Sequence, residues 1–456
     1  MSEPERTTSG AGVQAAREWI ASSGIGARLA RGAGRALVIT ATGAVVSFAA
    51  QVGLARLLGQ EAFGVYMLAL SWMMIAQLFA KLELDTTSVR FVGAYVAERR
   101  YGLLRGYLAR SRQVVLAAGG LIATVGIAGV LVMTDRLAAK HDGLPAALVV
   151  VCGLLPAFTL LTLNGSVLQG LQQYALAQLP ANLVRPLTFG VLLLIAALIP
   201  GVRWTAAHGL ALNLAGVLLA LTVAERWRAR QLPAEVRTAL PEYDVPAWRR
   251  TAAPLFLISV SQGFLSSQAD VLIVGTLLSV TDAAIYGAAL TLIQPLTMTW
   301  SAVTFVALPM IADLYARGDR ARLQSLVRAV TVAGLLVVLP MGLVLMAGGG
   351  LLLRLYGPEY VPGHGVLAVL AAAQVVVGLV GGVAGFLMTM TAHEREAAWI
   401  IGISAVAYIV LAFSLTPVYG AIGTAAATLL TAVGRAIALS VYVRRVMGIR
   451  VPAVRA

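Results

Sequence analysis

The stretch ERWRARQLPAEVRTALPEYDVPAWRR, residues 225–250, is the longest polar interruption in an otherwise apolar chain. Apolar runs of about twenty residues recur on both sides of it, and a helix needs that length to cross about 30 Å of hydrocarbon. Of the 456 residues, 59% are hydrophobic and 12% are charged, whereas about a quarter of the residues in soluble proteins are charged. We therefore expect an all-α polytopic membrane protein that this stretch divides into two sets of spans.

The apolar runs predict twelve membrane spans, six on each side of the polar interruption. The first 32 residues lack an apolar core before a cleavage site, so they predict a cytoplasmic tail or a surface helix and not a signal peptide. The expected organisation is an N-terminal tail (1–33), an N-lobe (34–225), a cytoplasmic inter-lobe linker (226–250), a C-lobe (251–443) and a C-terminal tail (444–456). The predicted spans are 34–57, 64–88, 113–134, 145–168, 176–199, 205–224, 251–279, 285–311, 326–350, 362–390, 396–416 and 421–443.

The distribution of basic residues predicts the orientation of the chain. Its net charge of +14 is concentrated in the two tails, the linker and alternate loops, whereas the remaining loops hold only Arg136, Lys140, Arg203 and Arg354. Because Lys and Arg are enriched in cytoplasmic loops, both termini are predicted to be cytoplasmic. Topology thus accounts for the positive charge, and binding of nucleic acid is not expected.

Several sequence features recur between the two halves. LLGQEAFGVYMLAL (57–70) resembles LLSVTDAAIYGAALTL (277–292), which aligns Phe63-Gly64 with Tyr286-Gly287. Basic amphipathic segments also follow the second and eighth spans at a similar offset. The repetition favours two parallel lobes with a substrate site between them, over a chance similarity of apolar helices.

The sequence lacks the motifs of several pump and enzyme classes. Neither Lys81 nor Lys140 follows a glycine, so the chain has no phosphate-binding GxxxxGK[ST] loop. No histidine falls in a metal-ligand pattern, and Gly-x-Ser-x-Gly is missing. We expect no catalytic residues, no cofactor and no metal, and therefore no enzyme.

Basic residues within the spans are candidates for a substrate cavity, because a charge at the bilayer centre costs roughly 2.5–3.5 kcal/mol and normally faces a cavity or a partner. Arg185 lies deep in the fifth span, with Asn182 one turn earlier. We expect it to face a cavity; a structural ion pair is the alternative. Arg435 is predicted to face the cavity or to snorkel, and Arg56 to snorkel from the outer end of the first span.

Acidic residues in the spans are fewer. Lys81 and Asp85 are four residues apart and predict an ion pair near the inner membrane edge, with Glu83 pointing elsewhere. In SVSQGFLSSQADVLIVG (259–275), a polar stripe recurs at steps of three and four, which is one face of a helix; it consists of Ser259, Gln262, Ser266 and Asp270. We expect the stripe to face a wet central passage, and Asp270 and Asp85 to be candidates for ion coupling. Hydrogen bonding between helices is the rival interpretation.

Four stretches of the chain resemble the polysaccharide-transporter family, which contains the lipid-linked oligosaccharide flippases of the O-antigen, exopolysaccharide and teichuronic-acid type. This family belongs to the multidrug/oligosaccharidyl-lipid/polysaccharide exporter superfamily. Its pattern matches at Asp85, Arg90 and Asp270. The stretches are LARLLGQEAFGVYMLAL (54–70), LELDTTSVRFVGAYVAE (82–98), SQADVLIVGTLLSVTDAAIYGAALTL (267–292) and LTPVYGAIGTAAATLLTAVGRAIAL (415–439).

The resemblance implies a MATE-like fold of two six-helix lobes that flips undecaprenyl-pyrophosphate-linked oligosaccharide by alternating access. The implied movement is from the inner to the outer leaflet of the bacterial cytoplasmic membrane. Cationic residues in such cavities are thought to hold the pyrophosphate. By depth, the candidates for that role in this chain are Arg185 with Asn182, Arg435, Lys81 and Arg56.

The implied partners are the lipid-linked oligosaccharide, membrane lipids, H⁺ or Na⁺, and a polysaccharide polymerase with its export machinery. An ion-coupled multidrug exporter and a peptidoglycan-precursor flippase of the same fold are the alternatives. A glycan polymerase is the alternative from a different class.

Overall fold

The computed structural model describes residues 25–265, 267–378, 382–390 and 393–449, and all regular structure in them is helical. The first half contains α1 (Ile25–Lys81), α2 (Leu84–Ala97), α3 (Tyr101–Val132), α4 (Thr134–Lys140), α5 (Leu144–Gly170), α6 (Tyr174–Leu179), α7 (Arg185–Ala197) and α8 (Ala206–Gln231). The short helix α9 (Glu235–Thr238) leads into the second half. That half contains α10 (Val245–Phe264), α11 (Ser267–Leu277), α12 (Val280–Ala316), α13 (Arg320–Leu353), α14 (His364–Val376), α15 (Gly382–Met390), α16 (Glu394–Tyr419) and α17 (Ala421–Tyr442).

Many of these helices are suited to cross a membrane. Within the described residues, nine helices are long and apolar enough to span a bilayer, and the bent pair α10–α11 brings the number to ten. The predicted class, an all-α polytopic membrane protein, is confirmed. Each predicted span has a helix at its position, and α1 carries two of them. The number of twelve spans and the cytoplasmic position of both termini stay predictions.

Helix α1 contains two predicted spans because it folds back at Gly59. This glycine has φ 76° and ψ 169°, a conformation that favours a residue without a Cβ atom. Leu54 and Tyr66 both lie against Gly209, although twelve residues of straight helix would separate them by about 18 Å. The two arms of α1, residues 25–58 and 60–81, therefore run side by side, and the predicted loop 58–63 is a sharp turn.

The second arm of α1 joins the two halves of the molecule. It packs against α11 and α12. A Cβ atom at Gly64 would overlap the carbonyl oxygen of Val280, and one at Gly287 would lie 2.6 Å from the Met67 side chain. The Phe63-Gly64 and Tyr286-Gly287 features that recur in the sequence thus meet across this seam, where glycine permits close approach of the helices.

The segment predicted as an inter-lobe linker is packed against the first half. Helix α8 extends through its first residues to Gln231. Farther along, Trp248 is buried and its indole N–H donates to the Tyr95 hydroxyl at 2.9 Å. The Arg105 guanidinium donates to the carbonyl oxygens of Arg237 (2.9 Å) and Ala239 (2.6 Å). The start of α10 is therefore fixed to α2 and α3. The lobe boundaries at 34–225 and 251–443 remain a prediction.

Candidate functional site

The first candidate site surrounds Arg185 in the first half. Pro186 has no N–H, so the carbonyl of Asn182 lacks the donor that would bond to it in a regular α-helix. The chain forms a π-helical turn over Pro180–Val184 instead. This turn brings the Asn182 carbonyl against the backbone of Gly43, where a Cβ atom would overlap it. The local distortion fixes α7 against the first arm of α1.

Arg185 has no anionic partner in the part of the chain that the structure describes. Its guanidinium carbon lies 5.3 Å from the centroid of the Phe158 ring, and its Nε atom is buried without a hydrogen bond. Tyr66, whose hydroxyl accepts from Asn213 at 3.3 Å, is within its electrostatic reach. The Phe158 ring is thus the contact that the structure shows for this guanidinium, at a distance suited to a cation–π interaction. The predicted alternative, a structural ion pair, is not found among the described residues.

Asn182 lies on the same turn but has its own partners. Its side-chain amide donates to Gln178 Oε1 at 2.6 Å and to the Thr40 hydroxyl at 3.4 Å. Arg435, in α17, makes no hydrogen bond or ion pair with the described residues and is half-buried. Among those residues, no contact joins Arg435 to Arg185, so the structure does not combine them into one cluster.

The second candidate site surrounds Asp270 in α11. Its side chain is 2% exposed. The Tyr286 hydroxyl donates to Oδ2 at 2.9 Å, the Tyr408 hydroxyl donates to Oδ1, and the Thr428 hydroxyl lies 3.3 Å from Oδ2. These groups come from α12, α16 and α17, and no basic residue of the described chain pairs with the acid. The result is a buried carboxyl group enclosed by three hydroxyls.

The predicted polar stripe is interrupted, because the helix breaks between its members. Helix α10 ends at Phe264 and α11 begins at Ser267, with a bend of 49° between them. Gln262 is exposed, Ser259 is half-buried and Asp270 is fully buried, so they do not share one wet face. Ser266 lies outside the described residues. The prediction of a continuous stripe was therefore wrong.

Lys81 and Asp85 form the predicted pair, at 3.0 Å, where α1 ends and α2 begins. The prediction that Glu83 points elsewhere was wrong, since its carboxylate lies 3.5 Å from the Lys81 ammonium. The cause is local: Leu82 and Glu83 adopt positive φ angles of 47° and 58°, which break the helical register assumed in the prediction. With two carboxylates beside it, Lys81 is already neutralised and is a poor candidate to bind a pyrophosphate.

Arg56 has a different environment from that of the other candidates. It is exposed, and its Nε donates to the carbonyl oxygen of Leu355 in the second half at 2.7 Å. The predicted snorkelling of Arg56 stays a prediction. Its position does not place it beside Arg185.

Sequence reasoning missed most partners of the two sites. Tyr408 and Thr428 lie 138 and 158 residues from Asp270, and Tyr66 lies 147 residues from Asn213. Of these partners, only Tyr286 stood out in the sequence, because it belongs to the recurring Tyr286-Gly287 feature. Buried hydroxyls on apolar helices resemble ordinary packing residues until their partners are known.

Residues 29–315, more than half of the chain, match the family described as polysaccharide biosynthesis protein. The chain belongs to this family. No curated protein sequence matches it significantly.

Solved structures are similar to this chain over nearly its whole length. The lipid II flippase MurJ in an inward closed conformation has a TM-score of 0.68 at 13% identity and covers 89% of this chain and 87% of its own. A multidrug resistance MATE family transporter of the MOP superfamily, in an inward-facing conformation, has a TM-score of 0.68 at 14% identity. The match covers 89% of this chain and 96% of the transporter. A MOP superfamily transporter from Pyrococcus furiosus has a TM-score of 0.57 at 14% identity, with 89% and 93% covered. The predicted MATE-like fold is confirmed.

Proposed function

We propose that this protein flips a lipid-linked oligosaccharide from the inner to the outer leaflet of a bacterial cytoplasmic membrane. Family membership and the flippase-like fold support this function, and the free charge of Arg185 is the observation that carries it. A pyrophosphate and its sugars cannot cross hydrocarbon unaided, because their polar groups would lose water without gaining other partners. An arginine without an internal counter-ion offers such a partner to an undecaprenyl-linked pyrophosphate.

Asn182 and Arg435 are secondary candidates for the same cargo. The Asn182 amide already has two acceptors nearby, so its contribution would require exchange of a hydrogen bond. The Arg435 side chain is free of such partners within the described chain, and we propose that it also contacts the cargo. Lys81 and Arg56 are poor pyrophosphate ligands, because two carboxylates neutralise Lys81 and the Leu355 carbonyl binds Arg56 away from Arg185.

Arg185 substitutions test the proposal. In the source organism, Arg185→Ala is expected to abolish export of the surface polysaccharide and Arg185→Lys to reduce it, since lysine retains the charge but loses the planar donor geometry. Arg230→Ala is the matched control, because the Arg230 side chain is exposed and makes no hydrogen bond or ion pair with the described residues. Normal export by Arg185→Ala at wild-type protein level would contradict the assignment.

We also propose that Asp270 is the residue at which a coupling ion, H⁺ or Na⁺, acts. Its carboxyl oxygens and three neighbouring hydroxyls are all oxygen groups, which suit either a proton or a hard cation. With no in-chain ATP motif, a gradient of such an ion is a natural energy source. In proteoliposomes, Asp270→Asn is expected to give cargo flux that no longer responds to an imposed H⁺ or Na⁺ gradient; an unchanged response would contradict the proposal.

The alternatives differ in cargo. A multidrug exporter would protect cells from cationic dyes, and a polymerase would leave single repeat units outside when deleted. Loss of a flippase leaves the lipid-linked unit on the inner leaflet. The glycan that accumulates in a deletion strain, and its leaflet, therefore separate the three activities.

A further inference from the structure

The loop between α13 and α14 contains a short tandem pattern that the proposed cargo sites do not use. Residues 355–362 read LYGP-EYVP, so a tyrosine in the second position and a proline in the fourth occur twice. The second copy forms most of a 3₁₀ helix, Pro358–Gly363. This loop is on the predicted outer side of the molecule.

The prolines leave two backbone carbonyls without donors. In a 3₁₀ turn, a carbonyl accepts from the N–H three residues later. The residue three positions after Leu355 is Pro358, and the residue three positions after Glu359 is Pro362. Neither proline has an N–H to donate. Both carbonyl oxygens are therefore available to a donor from another part of the chain.

Donors for these carbonyls come from the first half of the molecule. Arg56 Nε donates to the Leu355 oxygen at 2.7 Å, and Gln60 Nε2 donates to the Glu359 oxygen at 3.4 Å. Arg56 and Gln60 are four residues apart beside the fold-back of α1, which matches the four-residue spacing of the two carbonyls. We call this pair of hydrogen bonds the latch.

An aromatic seal lies directly beneath the latch. Phe63, from the second arm of α1, lies 6.2 Å between ring centroids from both Tyr356 and Tyr360, which are 5.6 Å apart. Phe48, from the first arm, lies 6.1 Å from Tyr356. Phe63, Tyr356 and Tyr360 are at most 1% exposed, so the rings exclude water from this end of the seam.

The seal retains an unsatisfied polar group. The Tyr360 hydroxyl is buried and has no hydrogen-bond partner among the described residues. A buried hydroxyl without a partner disfavours the closed arrangement, and separation of the halves would expose it to water or to a sugar hydroxyl. Because the unpaired hydroxyl weakens the closed packing, these rings are suited to separate and to close again.

We propose that the latch and the aromatic seal form the outer gate of this protein, and that Arg56 acts in the gate. The inference rests on the proposed alternating-access function. The two proline-freed carbonyls hold the gate closed against Arg56 and Gln60. Opening breaks these bonds, parts Phe63 from the two tyrosines and gives the glycan an outward path.

Cysteine accessibility tests the gate without any cargo. Ala284 is fully buried beside Gly64 in the seam, so Ala284→Cys in a Cys152→Ser chain reports on separation of the halves. A membrane-impermeant maleimide added outside is expected to label it slowly. Adding Arg56→Ala is expected to raise the labelling rate about tenfold, because the loss of one charge-assisted hydrogen bond shifts the opening equilibrium by about that factor.

Two further variants sharpen this test. Pro358→Ala restores an N–H that competes with Arg56 for the Leu355 carbonyl, so it is expected to raise the rate as well. Arg354→Ala is the matched control, because Arg354 is an exposed arginine next to this loop whose side chain makes no hydrogen bond or ion pair with the described residues. Equal rates for Arg56→Ala and Arg354→Ala would overturn the gate.

A reversible cross-link tests the gate in a chain that keeps the seal. In the Cys152→Ser background, Gln60→Cys and Glu359→Cys are expected to react with one cleavable bis-maleimide and to stop polysaccharide export until the linker is cleaved. Normal export by the bridged protein would overturn the gate. Faster labelling of Arg56→Ala together with no glycan transport by the intact chain would reject the proposed function and leave the gate standing.

Discussion

At the scale of single residues, the two candidate sites hold opposite charges in different ways. Arg185 lies against the Phe158 ring with no anionic partner among the described residues, whereas Asp270 is enclosed by hydroxyls. The hydroxyl groups can satisfy a carboxyl group by donating to it, but they cannot cancel its charge. A carboxyl group that only hydroxyls surround responds to a proton or a small cation more strongly than a carboxyl group in an ion pair.

Substitution of Asp270 separates its structural role from its functional role. Asp270→Ala leaves the hydroxyls of Tyr286 and Tyr408 without their acceptor, at about 1–3 kcal/mol for each buried group. Asp270→Asn retains an acceptor, so it is expected to unfold close to the wild-type temperature while Asp270→Ala unfolds well below it. Thermal unfolding in detergent measures both, with the exposed Asp135→Ala as the control; equal unfolding of Asp270→Ala and the control would contradict the observed bonding.

Depth in a predicted span identified Arg185 and Asp270, because a buried charge in an apolar helix is a strong local signal. The same criterion selected Arg56 and Lys81, whose partners emerge only when the chain is folded. Lys81 is neutralised because two residues adopt positive φ angles, and Arg56 finds a carbonyl 299 residues away. Neither feature has a signature in helical spacing.

At the scale of helices, breaks and close contacts position the sites. Three breaks each place a polar residue where a straight helix would not. They are the π-helical turn before Arg185, the fold-back at Gly59 and the interruption between α10 and α11. The repeated glycines were predicted to mark internal repetition. Both glycines lie in the seam, Gly64 against the Val280 carbonyl and Gly287 against the Met67 side chain, which gives a physical reason for that pattern because a Cβ atom at either position would collide.

The seam between α1 and α12 is expected to tolerate no side chain at Gly64. Gly64→Ala places a Cβ atom on the Val280 carbonyl oxygen, and overpacking of this kind costs about 1–3 kcal/mol. Gly120→Ala, where no atom lies within 4 Å of the added Cβ, is the matched control. The thermal unfolding temperature is expected to fall for Gly64→Ala and to stay unchanged for Gly120→Ala. Equal unfolding temperatures of the two variants would contradict the described packing.

The docked connection between the halves makes a second prediction at this scale. Trp248→Ala removes a buried ring and the bond to Tyr95, a change that costs about 3–5 kcal/mol in a packed core. Residues 232–244 are then expected to be cleaved faster by protease. Trp399→Ala, at a site 66% exposed, is the control, and equal cleavage of both variants would show that the connection is not held by Trp248.

At the scale of the whole molecule, the length of the apolar runs was sufficient to predict the membrane class, and the family resemblance was sufficient to predict the fold. It could not predict how the halves meet. That contact depends on Gly64, Phe63 and the LYGP-EYVP loop, which belong to segments far apart in the chain.

The predicted orientation is tested with single cysteines in the Cys152→Ser chain. Val202→Cys, in a predicted outer loop, is expected to react with an impermeant maleimide in intact cells. Arg230→Cys, in the predicted cytoplasmic connection, is expected to react only after the membrane is permeabilised. The reverse pattern would invert the topology and, with it, the side assigned to the gate.

The central claim, that this protein moves a lipid-linked oligosaccharide between leaflets, is tested most directly by reconstitution. Proteoliposomes that contain undecaprenyl-pyrophosphate oligosaccharide in both leaflets are exposed to an external glycosidase, and the cleaved fraction is followed over time. The wild-type protein is expected to bring the inner-leaflet pool to the enzyme, whereas Arg185→Ala leaves it protected. A cleaved fraction that never exceeds that of protein-free liposomes would contradict the account.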